Sequence, residues 1–171
     1  MRRAVAVAIG TLVLAGCGSG RQAVDHPSAS TRAGATALAA WGDAAARFNS
    51  EFHQCLGKVN FIRGFWASCI DAEHQRYEAA SAQTLGALRA VTGGGPACAQ
   101  SRSAATAVVT HLQLTWRQAS LAMGRMLRAV DTGRAYGGPV PAALRERADR
   151  EYAQNSRLVP GLVAAMRRAC A

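Results

Sequence analysis

Beyond its first thirty or so residues, apolar positions recur along this chain at helical spacing. Leu38, Trp41, Ala45, Phe48, Phe52 and Cys55 follow at alternating intervals of three and four, which lines them along one helix face. A second seam passes through Ile70, His74, Tyr77, Ser81, Leu85 and Leu88, in a helix expected from about Trp66 to Val91. Gly93-Gly94-Gly95-Pro96 ends it, because glycine closes helices and proline opens them. The third helix, about Pro96 to Val130, aligns Ala105, Val108, Leu112, Trp116, Ala119, Met123, Met126 and Val130. After the loop DTGRAYGGPVP, a fourth begins near Pro141 and carries Leu144, Ala148, Tyr152, Asn155, Val159, Leu162 and Met166. Pro160 lies inside it and predicts a kink or break, since its ring lacks a donor and clashes with the preceding turn. No stretch sustains strand alternation. Four amphipathic helices with short connections predict an all-α fold, an antiparallel up-down four-helix bundle over residues 33–171.

The start of the chain has a different character. Arg2 and Arg3 precede a short apolar run, Ala4 to Val13, and Leu14-Ala15-Gly16-Cys17 follows at once. About ten apolar residues are too few for a spanning helix, which needs roughly twenty, so the segment reads as a processing signal. Leu14-Ala15-Gly16-Cys17 resembles the lipobox of bacterial lipoprotein precursors at every position. The resemblance implies a signal peptide over residues 1–16, cleavage before Cys17, and diacylglycerol (palmitate-class chains) on the Cys17 sulfur. It covers only these seventeen residues and implies a cell-membrane address, lipid-anchored on the extracytoplasmic face. Residues 17–32, small and polar with one proline, then read as a tether reaching tens of ångströms.

That address changes the meaning of the cysteines. With Cys17 assigned to lipid, Cys55, Cys69, Cys98 and Cys170 remain. An even number outside the cytoplasm favours two disulfides, and no close ligand spacing suggests zinc. Three connectivities are open. An up-down bundle places Cys55 near Cys69 at one end and Cys98 near Cys170 at another, so Cys55–Cys69 and Cys98–Cys170 are the expected pairs.

Candidate chemistry is sparse. No nucleophile elbow, zincin helix, P-loop or dinucleotide fingerprint occurs, so no catalytic residue is nominated. His74 falls on an inward seam; with His53 and His111 it is a candidate ligand for haem or metal between helices, although the carboxylate pattern of di-metal bundles is missing and no c-type haem motif occurs. An ordinary histidine near a bundle end is the favoured reading of His74. Glu146, Asp149 and Glu151 lie among Arg145, Arg147 and Arg150 and read as a solvated ion-pair face.

Charge is informative on surfaces. From Cys17 to Ala97, seven basic residues face six acidic ones, a net +1; from Cys98 to Ala171 there are eleven and four, a net +7. On the third helix Leu114, Arg117, Leu121, Arg125 and Arg128 lie on or near the face opposite the seam. Leu114, Arg117, Leu121 and Arg128 are the candidate contact for a membrane surface, an anionic surface polymer or an envelope protein; an ordinary arginine-rich solvated face with two incidental exposed leucines is the favoured reading. An extracytoplasmic address argues against nucleic acid. Phe61, Ile62, Phe65 and Trp66, in the loop between Cys55 and Cys69, either plug the end of the core, the preferred reading, or form an apolar tip with Lys58 and Arg63. The expected function is a lipid-anchored, non-enzymatic binding or interaction module. The alternative is an extracytoplasmic carrier of haem, metal or an apolar ligand between the helices.

Overall fold

The computed structural model describes residues 28–58, 65–135, 137–138 and 141–170, with the side chains of 56–58, 65–67, 131 and 141 excepted. The expected signal peptide, Cys17, most of the tether, and Phe61, Ile62 and Arg63 lie outside these residues. The side chains of Lys58, Phe65 and Trp66 do too, and with them the choice between plug and tip.

The described residues form five α-helices: α1 (Ala29–Lys58), α2 (Phe65–Ala90), α3 (Gly95–Asp131), α4 (Pro141–Ser156) and α5 (Val159–Ala169). No strand occurs among them. The first helix begins four residues earlier than the expected domain boundary. Ser28 explains this, because its Oγ accepts the Thr31 backbone N–H at 3.1 Å, the bond of an N-cap. Thr31 is itself buried and donates to the Cys170 carbonyl at 2.9 Å, tying the start of α1 to the end of α5.

The helix-spaced residues make the core. On α1, Leu38, Trp41, Ala45, Phe48, Phe52 and Cys55 are all buried, as are Ile70, Tyr77, Ser81 and Leu88 on α2. From α3, Ala105, Val108, Leu112, Trp116, Ala119 and Met123 join them. Phe48 stands at the centre, stacked on Tyr77 at 4.9 Å and edge-on to Trp116 at 5.1 Å. Val130 departs from its seam and is 63 % exposed.

Contacts between helices follow a regular order. Between α1 and α2, Cys55 meets Cys69, Phe48 meets Tyr77, Trp41 donates to Ser81, and Thr84 donates to the Ala37 carbonyl. Partner numbers rise on one helix as they fall on the other. The same holds for α1 and α5, where a Cβ on Gly34 would lie 3.3 Å from Met166 and one on Gly42 would lie 3.0 Å from Val159. Both disulfides are present as Cys55–Cys69 and Cys98–Cys170, with α-carbons 6.0 and 4.7 Å apart.

Gly94 is held in place by two demands at once. Its φ is +78°, and a Cβ there would lie 2.8 Å from the Cys98 sulfur. The break expected at Pro160 falls between Ser156 and Val159, with Pro160 in the first turn of α5. Restarting the helix there shifts the buried set to Val159, Val163 and Met166, while Leu162 of the expected seam is only partly buried.

Candidate functional site

The helix break has a spatial consequence. Where α4 gives way to α5, a cavity of about 720 Å³ opens between these helices and α1. Trp41, Ala45, Leu112, Val159 and Val163 supply its apolar wall, and Tyr152, Ser156, Asp43, Arg167 and Arg168 bring polar groups to it. Gly42 lets α1 and α5 approach closely at one point of the wall, where a Cβ would lie 3.0 Å from Val159, and Ala45 adds only a methyl group to it. The volume lies within the range of sites that hold small ligands. A smaller hollow of about 240 Å³ lies between α1 and α2, lined by Arg47, Glu51, Glu73 and Arg76. Glu73 and Arg76 there pair with each other.

The histidines nominated from the sequence do not converge. His53 on α1 pairs with Asp149 at 3.0 Å, and His111 on α3 pairs with Glu151 at 2.8 Å; both rings are exposed. Asp149 and Glu151 thus reach to neighbouring helices, whereas only Glu146 follows the local ion-pair reading, 3.8 Å from Arg150. Among the described residues no three His, Cys, Asp or Glu side chains gather as a metal site.

His74 lies half-buried on α2, with its ring 6.2 Å from Phe48 and its Nε2 3.2 Å from Glu78. That is ion-pair reach without the alignment of a hydrogen bond. Glu78 is the hub: Arg117 donates to its two oxygens from Nε at 2.7 Å and Nη2 at 2.6 Å, and Gln113 donates as well. Burial pushes the His74 imidazolium below its ordinary range; Glu78 opposes this and the Arg117 charge adds to it. For Glu78 burial acts upward, but the hydrogen bonds from Arg117 and Gln113 and the Arg117 charge outweigh it and hold the carboxyl low. Burial drives the Tyr77 phenol upward. Its hydroxyl, Trp116 Nε1 and Ser120 Oγ are buried with no well-aligned hydrogen-bond partner among the described residues.

On the outer face of α3, Leu114 and Leu121 are 48 % and 50 % exposed. Arg128 is exposed as well, whereas Arg117 is partly committed to Glu78. The cavity residues were not singled out from the sequence as a site. One signal read from the sequence falls there, Pro160 inside a helical pattern, and it does not say which helix lies opposite.

No protein-family model matches this chain, and no curated protein or solved structure matches it.

Proposed function

We propose that this chain is a lipid-anchored cell-envelope protein, held by diacylglycerol on Cys17 at the extracytoplasmic face, whose helical domain is a non-enzymatic binding module. The cysteine inventory carries the reading. Cys55, Cys69, Cys98 and Cys170 are all consumed in disulfides, a state that belongs to oxidising compartments. The odd cysteine is the one in the lipobox-like Leu14-Ala15-Gly16-Cys17. Within the domain we favour the antiparallel up-down four-helix course, α4 and α5 together serving as its fourth helix. The opposed numbering of the α1–α2 and α1–α5 contacts supports that course.

Labelled palmitate supplied to a bacterial host tests the anchor. The wild-type chain should carry label and sediment with membranes, and Cys17→Ser should lose both. Unlabelled wild type, or a Cys17→Ser chain that still sediments, would refute it.

For the partner, the outward strip of Leu114, Leu121 and Arg128 in the half carrying +7 suits an envelope protein or an anionic surface polymer. The second reading, a carrier of an apolar ligand between helices, is favoured by the cavity beside the helix break. The separation of His53, His74 and His111 favours that ligand over haem or metal.

A further inference from the structure

We propose that the cavity between α1, α4 and α5 binds a single-chain amphiphile with an acidic head, the chain lying along Trp41, Ala45, Val159 and Val163 and the head at Arg167 and Arg168. This rests on the apolar-ligand reading above and adds the chemistry of the ligand.

Three observations converge. The first is shape. The wall follows α4 and α5 from Tyr152 to Arg168 past the break between them, and on α1 it runs from Ala39 to Ala45, roughly 9 Å of helical rise. A cavity of about 720 Å³ whose apolar wall continues past the helix break has room for a single hydrocarbon chain.

The second is charge placement. Arg167 and Arg168 both contribute to the wall, although adjacent helical residues project about 100° apart. Neither guanidinium has an ion pair or hydrogen bond with a described residue. Both are exposed and border the cavity at the last turn of α5, where complementing the helix dipole is a role open to any basic residue. A carboxylate or phosphate head meets there two free planar donors, the geometry in which arginine binds such groups best.

The third is polarity along the groove. Gly34 lies opposite Met166 and Gly42 opposite Val159, so the arginines occupy the end nearest the start of α1. Asp43, the acidic residue on the wall, stands nine residues from Gly34, roughly 13 Å along the axis. Trp41 and Val163 lie between, Val159 stands level with Asp43 and Ala45 lies beyond it, and the sign of the charge selects one orientation of the ligand. In the lipid-anchored reading, the arginine end is also the end where the tether enters.

The full chain carrying Cys17→Ser, with both disulfides formed, is titrated with palmitate, 1-palmitoyl lysophosphatidate, hexadecanol and haemin. A dibrominated stearate serves as a quencher of Trp41. Palmitate and lysophosphatidate should both bind about tenfold or more tighter than hexadecanol, as expected for charge-assisted hydrogen bonds. The brominated chain should quench fluorescence in wild type and much less in Trp41→Phe. Arg167→Ala with Arg168→Ala should remove the preference for acids while leaving hexadecanol binding unchanged. Ala164→Trp, which fills the cavity from α5, should weaken all three ligands in a chain of unchanged helicity. Equal binding of acid and alcohol, untouched by the arginine changes, would overturn the headgroup assignment while leaving the apolar-ligand reading intact. Failure of every ligand to bind would overturn both. A haemin Soret shift lost in Tyr152→Phe would overturn the amphiphile in favour of a macrocycle.

Discussion

Tyr77 is 1 % exposed, and its hydroxyl makes no well-aligned hydrogen bond with a described residue, although Ser81 is in reach. A buried polar group left alone costs about 1–3 kcal/mol, whereas its ring stacks on Phe48 and contributes packing. Tyr77→Phe keeps the ring and deletes the stranded oxygen. It should therefore be neutral or raise stability by about 1 kcal/mol, read from the urea midpoint; a loss of more than that would mean the hydroxyl has a partner in solution. His74 makes a second prediction at this scale. Its imidazolium is disfavoured by burial, with Glu78 opposing and Arg117 reinforcing that, and Asp71 also favouring the charged form. The unfolded chain takes up a proton near the ordinary value of 6.5 before the folded chain does. The His74 contribution is then complete above that value and declines as pH falls through it toward the depressed folded value. Glu78 is also held low, so its contribution is present above its ordinary value of 4.5 and is lost at still lower pH. Urea midpoints measured from pH 7 to 5 should fall in wild type and fall less in His74→Gln. Parallel curves would remove His74 as the cause. That His74 lies on an inward face was legible from its spacing. Its neighbours Glu78, Gln113 and Arg117 were only partly so, because two of the three belong to α3 and arrive through the register between helices.

Helix starts, stops and interruptions govern the next scale. Gly94 must adopt a left-handed φ and must also leave room for the Cys98 sulfur. Gly94→Ala incurs the steric cost of that conformation, about 1–2 kcal/mol, before any displacement of the disulfide. A denaturation midpoint lowered by at least that amount is expected. Gly93→Ala, at φ +85° with open space around it, should cost less than Gly94→Ala, since it meets the conformational penalty alone. Equal losses would mean that the clash beside Cys98 relaxes freely. The glycine run was readable as a helix stop, but its fit against a disulfide was not, since that requires knowing what the turn packs on. Pro160 behaves similarly. Its missing N–H and its ring predict an interruption locally, while the opening of a cavity at that point depends on which residues of α1 and α3 stand opposite.

Across the whole molecule, two cross-links of different reach join the ends of the helices. Cys55–Cys69 closes 14 residues and Cys98–Cys170 closes 72. Chain entropy assigns about 3 kcal/mol to the shorter loop and somewhat over 4 to the longer. Cys98→Ala with Cys170→Ala should therefore lower the denaturation midpoint more than Cys55→Ala with Cys69→Ala; the reverse order would show that native packing, not loop length, sets their worth. Helix positions and most core-facing residues, Val130 and Leu162 excepted, were determined by the sequence itself, because they follow from a local period of 3.6 residues; the two pairings followed once four cysteines near helix ends were set on an up-down course. The separate pairing of His53 with Asp149 and His111 with Glu151, and the meeting of Arg167 and Arg168 with an apolar wall, were decided only by tertiary structure. Each joins residues on different helices or across the break between α4 and α5. Its outcome depends on how far one helix slides and turns against another, a quantity that packing over the entire core sets and no local pattern encodes.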